Sequence, residues 1–275
     1  MLKIREIKAK SIITKSGLDV DYVINPYVGC MHGCLYCYAR FMKRFTDHHE
    51  PWGKFVDIKI NAPELIPQNP KKYKDKSIFI SSVTDSYQPL ERRYQLTRKI
   101  LEKLIPLEPD LSILTKSDLI IRDIDLLKQF KKCKAGFSLS TLDEKIQKEI
   151  EPLACSPQRR IKAVKELKSS GIKNFIFISP ILPEITNWKK IIKKTTHSTG
   201  SGRESFVDEF WFENLNMRAT NWDNLRKWLK NSHPELLNLY QDIRLHKIDY
   251  WSKIEKEIKD YCKKYNLSFS IYFHH

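Results

Sequence analysis

The chain has 275 residues, enough for one large domain or two small ones with a sizeable core. Its 41% hydrophobic and 30% charged residues exclude a disordered segment, and no run of 18 apolar residues is present to span a membrane. Lys and Arg number 49 against 33 Asp and Glu, a formal charge of +16 that favours polyanionic partners, nucleic acid foremost.

Solvated lysine-rich faces such as Lys131-Lys132 and Lys189-Lys190 account for part of that charge. The opening Met1-Leu2-Lys3-Ile4-Arg5-Glu6 breaks its apolar residues with charges. It lacks the apolar stretch of a signal peptide, so a cytoplasmic location is expected. Only eight glycines are present, and neither GxGxxG nor a P-loop pattern occurs, which excludes the usual dinucleotide and P-loop sites.

The first predicted strand, Tyr22-Val23-Ile24, leads into Gly29-Cys30-Met31-His32-Gly33-Cys34-Leu35-Tyr36-Cys37-Tyr38. Three of the six cysteines fall in this short stretch, whereas Cys133, Cys155 and Cys262 stand alone. Cytosolic thiols stay reduced, so the even count does not imply disulfides. A CxxxCxxC triplet of thiolates suits a soft-metal site, with an iron–sulfur cluster as the natural candidate. A four-iron cubane held by three thiolates keeps one iron open, and an open iron binds and activates a small molecule. Gly29 and Gly33 let the backbone curl closely. A helix is expected from Leu35, with its amides facing the cluster's negative charge. The alternatives are a zinc knuckle completed by His32 or a remote Cys, and three unrelated thiols.

Strands and helices then alternate. Strands are predicted over 77–81, 111–114, 135–139, 174–178 and 210–212. Helices are predicted over 91–105, 118–130, with Asp118 as N-cap, and 157–170, with Gly171 after its end. Repeats of this length make a parallel sheet, and about six units point to a partial (β/α) barrel, not a closed eightfold one. Chemistry in such barrels lies at the C-terminal strand ends, where Thr84-Asp85, Thr115-Lys116-Ser117, Ser138 to Thr141, Ser179-Pro180 and Glu213-Asn214 fall. Capping explains Ser117 and Asp118; Lys116 is placed to pair with a carboxylate ligand. Residues 197–204 read as a flexible loop. Past Arg218 the pattern turns helical, over 222–229, 234–239 and 248–265, with an apolar run over 269–273. The expected organisation is a barrel core over 1–217 with a helical C-terminal extension over 218–275 packed on it.

The cysteine stretch, with Asn25-Pro26-Tyr27 before it and Ala39-Arg40 after it, resembles the spore photoproduct lyase-like branch of the radical S-adenosylmethionine (radical SAM) superfamily. Further stretches resemble that branch in the same order: Val83-Thr84-Asp85-Ser86-Tyr87-Gln88-Pro89-Leu90-Glu91, Ile113-Leu114-Thr115-Lys116, Phe137-Ser138-Leu139, Ile150-Glu151-Pro152 and Ile178-Ser179-Pro180-Ile181-Leu182-Pro183. The resemblance implies a partial (β/α)6 TIM-like barrel and a 4Fe–4S cluster held by Cys30, Cys34 and Cys37. The open iron would take the amino and carboxylate groups of S-adenosyl-L-methionine. It also implies Tyr36 and Tyr38 beside the adenine, Thr84 and Lys116 near the amino-acid end or ribose, and Ser138 on the ribose. The activity implied is reductive cleavage to a 5′-deoxyadenosyl radical that takes hydrogen from a substrate, with an external one-electron donor. The substrate is not identified; DNA and RNA are candidates, and no catalytic residue is assigned. A DNA repair lyase of the spore photoproduct lyase type, and a non-catalytic zinc-dependent nucleic-acid-binding protein, are the competing functions. The resemblance departs at Val83, which stands where those lyases carry a hydrogen-donating cysteine. Cys133 and Cys155 are substitutes in principle, and buried small hydrophobes by ordinary packing.

Overall fold

The computed structural model describes residues 1–199 and 202–274. In chain order its strands are β1 (Lys3–Ile7), β2 (Ile13–Lys15), β3 (Tyr22–Ile24), β4 (Tyr27–Val28), β5 (Phe55–Lys59), β6 (Ser77–Ile80), β7 (Asp110–Thr115), β8 (Lys132–Ser138), β9 (Lys173–Ile181), β10 (Thr196–Thr199), β11 (Gly202–Ser205), β12 (Glu209–Asn214) and β13 (Phe269–Ile271). The α-helices are α1 (Glu91–Tyr94), α2 (Leu96–Leu104), α3 (Ile124–Leu127), α4 (Glu144–Ile150), α5 (Pro157–Ser169), α6 (Trp188–Thr195), α7 (Ala219–Ser232), α8 (Leu237–Arg244) and α9 (Tyr250–Lys264).

Strands β3, β6, β7, β8, β9 and β12 pair in that order, all parallel, as an open partial barrel. These are the six strands that the apolar runs predict. β2 adds an antiparallel edge to β3, and β13 adds a parallel edge to β12. Alternate strand residues, including Ile78, Ile80, Leu111, Ile113, Phe137, Ile176, Ile178 and Phe212, are buried in one core with Ile100, Leu104, Val164, Leu167 and Ile192 of the helices. Period-two alternation turns the remaining residues into the barrel. There Phe175 stacks on Trp211 with centroids 3.8 Å apart. A side chain at Gly136 would meet the Phe175 ring at 2.4 Å, so a glycine lets this ring into the interior. Aromatic rings therefore plug the barrel below its polar mouth.

A second small sheet, ordered β1-β5-β4, lies outside the predicted elements. Its Phe55 is fully buried against Cys30, Ala39 and Trp52, so this sheet backs the cysteine loop.

Several elements differ from expectation. The helix over 91–105 is two helices, broken at Gln95, whose φ is 50°. The break lets the buried Glu91 carboxylate accept the Thr97 and Arg98 N–H groups at 3.1 and 3.4 Å, capping α2 from the preceding turn. The helix over 118–130 is a 3₁₀ turn at Asp118–Asp123 followed by α3. Its N-cap is Ser117, which accepts the Leu119 N–H; Asp118 instead pairs with Arg159 at 2.7 Å. The helix expected from Leu35 begins at Tyr38 and is 3₁₀, ending at Phe45. The supposed loop over 197–204 holds the antiparallel pair β10–β11, with 200 and 201 outside the described residues. Thr196 and Thr199 favour extended backbone there.

Candidate functional site

The cysteine loop runs from β4 to the 3₁₀ helix and is held from several sides. Gly29 has φ of 83°, and a side chain there would meet the Phe55 carbonyl oxygen at 2.4 Å. Its own carbonyl accepts the Thr84 hydroxyl at 2.6 Å. Gln88 accepts the Met31 N–H at 2.8 Å and donates to the Thr84 hydroxyl at 3.2 Å. The Arg40 guanidinium donates to the carbonyls of Cys34 and Leu35 at 2.9 and 3.0 Å. The Leu35 N–H donates to the Ile150 carbonyl at 2.8 Å. The backbone path is thus set by Arg40 nearby and by Thr84, Gln88 and Ile150 distant in sequence, and the three thiols are left for other use.

All three thiols are free; Cys30 and Cys34 are buried and Cys37 is half-buried. Burial pushes the Cys34 thiol well above its ordinary pKa, against the pull of the Lys116 ammonium. Burial, reinforced by Cys30, pushes Cys37 up to about 11. The thiols therefore lie within electrostatic reach of one another. A single ion needs ligands converging on one point, and among the described residues no three His, Cys, Asp or Glu side chains do so. A cubane takes one thiolate per iron, which spaces its ligands around the corners.

The strand ends are tied to one another by their polar residues. One Asp85 oxygen accepts the Thr115 hydroxyl at 2.7 Å and the other accepts the Lys116 N–H at 2.7 Å, lacing β6 to β7. His32 Nδ1 lies 3.3 Å from Asp85. Burial opposes charge on His32, but Asp85 and Cys30 outweigh it and raise its pKa to about 10. Ser138 and Ser140 both donate to the Ser179 carbonyl, at 2.9 and 2.8 Å, and the Ser179 hydroxyl donates to Glu213. Asn25 reaches from β3 to the Ser82 hydroxyl and the Val83 N–H at 2.8 and 3.0 Å.

Behind the loop stands a buried ionic wall. Tyr36 donates its hydroxyl to Glu151, which is paired with Arg160. Arg160 also donates to the carbonyls of Ser138 and Cys155 at 2.9 Å each. The Lys116 ammonium lies 5.7 Å from the Tyr36 ring centroid. Burial disfavours its charge, but Cys34 and Glu151 together raise its pKa, so Lys116 is a cation within electrostatic reach of Cys34.

The sequence-predicted residues thus fall into two groups. Cys34, Tyr36 and Lys116 come together directly, with Cys30 and Cys37 coupled to Cys34. Thr84 and Ser138 use their hydroxyls on backbone carbonyls, so both brace the mouth. Tyr38 is 44% exposed and donates its hydroxyl to the Ser82 carbonyl. Cys133 lies on β8 opposite Leu111, with its pKa pushed up to about 12 by burial. Val83 packs against the cluster of Cys30, Ala39, Trp52 and Phe55. The bracing roles of Gln88, Arg40 and Arg160 are not readable from residue type, although Gln88 and Arg40 lie within the stretches that carry the family resemblance.

Three comparisons place the chain among known proteins. Residues 24–194 match the family model of the Radical SAM superfamily. An uncharacterized protein of Methanocaldococcus jannaschii is 40% identical over 235 residues, covering 85% of each chain. A radical SAM Nalpha-GlyT isomerase of Pseudomonas phage M6 is 28% identical over 162 residues, which is 58% of this chain and 33% of that one. A spore photoproduct lyase mutant with bound AdoMet and dinucleoside spore photoproduct has the same fold, with a TM-score of 0.70 at 13% identity, over 99% of this chain and 82% of that one. The chain is a radical SAM enzyme and belongs to the Radical SAM superfamily.

Proposed function

We propose that Cys30, Cys34 and Cys37 hold the 4Fe–4S cluster that the family implies, with S-adenosyl-L-methionine on the iron they leave open. The observation that carries this reading is the donor set. Three free thiols stand on a loop whose backbone is fixed by Thr84, Gln88 and Arg40, and a Lys116 cation lies within electrostatic reach of Cys34 and Cys37. When bound, the cluster would supply one-electron chemistry, fed by an external donor, for reductive cleavage of the sulfonium and hydrogen abstraction from the substrate.

The protein's own part is placement and exclusion of water. Lys116 offsets thiolate charge and offers an ammonium to a carboxylate at the mouth. Tyr36, whose hydroxyl is held by Glu151, would offer its ring to the adenine, and Tyr38 would present a second ring. Thr84 and Ser138 act through the carbonyls they hold. The aromatic plug of Phe175 and Trp211 closes the barrel beneath.

The substrate is a nucleic acid, DNA or RNA; the formal charge of +16 favours this class. Val83 has no sulfur-bound hydrogen to give, so the reaction differs from the cysteine relay of a spore photoproduct lyase.

Anaerobic reconstitution tests the cofactor assignment. The expected result is a brown protein with about four irons per chain, as a cubane requires, that forms 5′-deoxyadenosine on reduction. Alanine at any of the three cysteines abolishes both. A colourless protein holding about one zinc would replace this reading with the zinc-binding one.

A further inference from the structure

Beside the mouth, where β12 ends, the chain forms a cleft of about 710 Å³. Its walls come from three places: residues 214–218 at the end of β12 and just after it, residues 243–246 and 248–251 from the end of α8 to the start of α9, and His274 of the C-terminal segment. This volume falls within the range of ligand sites. The cleft is continuous with the mouth in sequence and in packing. Asn214 follows Glu213, which accepts the Ser179 hydroxyl. Leu215 and Trp222 pack in one core with Cys34 and Tyr36.

The lining carries two arginines. Arg218, Arg244 and His246 are exposed on it, whereas His274 is paired with Glu213 at 3.6 Å. Among the described residues neither arginine has an ion-pair partner. Arg244 lies 5.2 Å from the Trp222 ring centroid, which fixes a guanidinium at the wall. The lining carboxylate, Asp249, is turned to capping α9 by accepting the Ser252 N–H at 3.2 Å. Tyr250 and Trp251, packed edge to face at 5.1 Å, supply aromatic surface on the same wall. Two uncompensated guanidinium groups beside aromatic rings match a phosphate with a base attached.

We propose that this cleft seats a phosphate-bearing nucleotide of a single nucleic-acid strand, with Arg218 and Arg244 on the phosphates, so that a neighbouring nucleotide lies at the barrel mouth. This rests on the radical reading above for its purpose but not for the binding itself. An acidic polypeptide would use the arginines and leave the aromatic wall without a partner.

The test is fluorescence anisotropy with labelled single strands of DNA and RNA of about 12 nucleotides, a length within single-strand site sizes, titrated with the reconstituted protein across a salt series. R218Q/R244Q is expected to lower affinity roughly tenfold and to reduce the salt slope by about 0.7 for each phosphate that is no longer neutralised. K99Q/K103Q removes equal charge from α2, which follows β6 in the chain, β6 being four strands from β12 in the sheet, and is expected to change affinity by less than about twofold because distant charges are screened. His246→Asp places a negative charge at an exposed turn of the cleft and gives the same direction of loss, so the result does not hang on how R218Q/R244Q folds. Equal losses in the cleft and α2 variants overturn the proposal. So does the absence of strand binding by the wild type, or displacement by polyglutamate as readily as by unlabelled strand. Formation of 5′-deoxyadenosine by the wild type is measured in parallel. Its loss counts against the radical reading, whereas lost strand binding with that product intact counts against the cleft alone.

Discussion

Arg160 and Glu151 face each other as an ion pair with about 1% of either side chain exposed. Burial pushes the Glu151 carboxyl up, but Arg160 and then Lys116 outweigh it and hold it below the ordinary range. Arg160→Met strands that charge in the wall, so a loss of about 3–5 kcal/mol is expected in urea unfolding. Adding Glu151→Leu to the same chain recovers most of the loss, because an apolar pair of similar volume needs no partner. A single variant as stable as the wild type would show that the wall does not depend on the pair.

Thr84→Val keeps the shape and removes the hydroxyl. The Gly29 carbonyl then retains only the longer hydrogen bond from Gln88, at 3.4 Å. The expected cost is about 1–3 kcal/mol for the under-satisfied buried group. Iron content after reconstitution falls with it, since the loop loses its shortest tie to the segment that follows β6. Unchanged iron content and an unchanged urea midpoint would contradict the bracing role.

Gly29 and Gly171 both have positive φ, 83° and 78°, yet their surroundings differ. At Gly171 an added methyl meets nothing within 4 Å, so Gly171→Ala costs only the backbone strain, about 1–2 kcal/mol. At Gly29 the methyl also meets backbone oxygen at 2.4 Å. Gly29→Ala is therefore expected to lower the melting temperature more than Gly171→Ala and to impair iron loading, which Gly171→Ala leaves intact.

Asp85 gives the fold an acid dependence. Burial pushes its carboxyl up, but the His32 charge, with the Lys116 N–H and the Thr115 hydroxyl, brings it down to about 2. A carboxyl lowered in the folded state stabilises fully above its unfolded value, near 3.8, and the contribution disappears as pH falls toward 2. In the metal-free protein Asp85→Asn should lower the urea midpoint at about pH 6 and match the wild type near pH 2. Parallel curves over that interval would mean that the carboxylate is not what laces β6 to β7.

The six barrel strands were legible because parallel strands buried on both faces read as apolar runs; Ile78-Phe79-Ile80 and Phe175 to Ile178 are of this kind. The cysteine triplet was legible because its chemistry is carried by three nearby residues. The small sheet was not, since Lys3, Arg5 and Glu6 make β1 look like surface chain until β5 lies beside it. The braces were equally hidden. Thr84 and Gly29 are 55 positions apart, and nothing local in either residue announces the other. The resemblance implies Thr84 and Ser138 near the cofactor; in the structure their hydroxyls donate to the Gly29 and Ser179 carbonyls. Residue type gave the polarity of the strand ends, and only the three-dimensional arrangement assigns each hydroxyl its direction.

The bonds that run from Asn25 to Ser82, from Asp85 to Lys116 and from Ser138 to Ser179 form a stitched collar around the rim. A rim stitched by its own side chains meets its ordering entropy when the chain first folds, not when the cofactor arrives. Loading should then tighten little, and amide hydrogens along the collar should exchange with solvent at nearly the same pace in the empty and the filled protein.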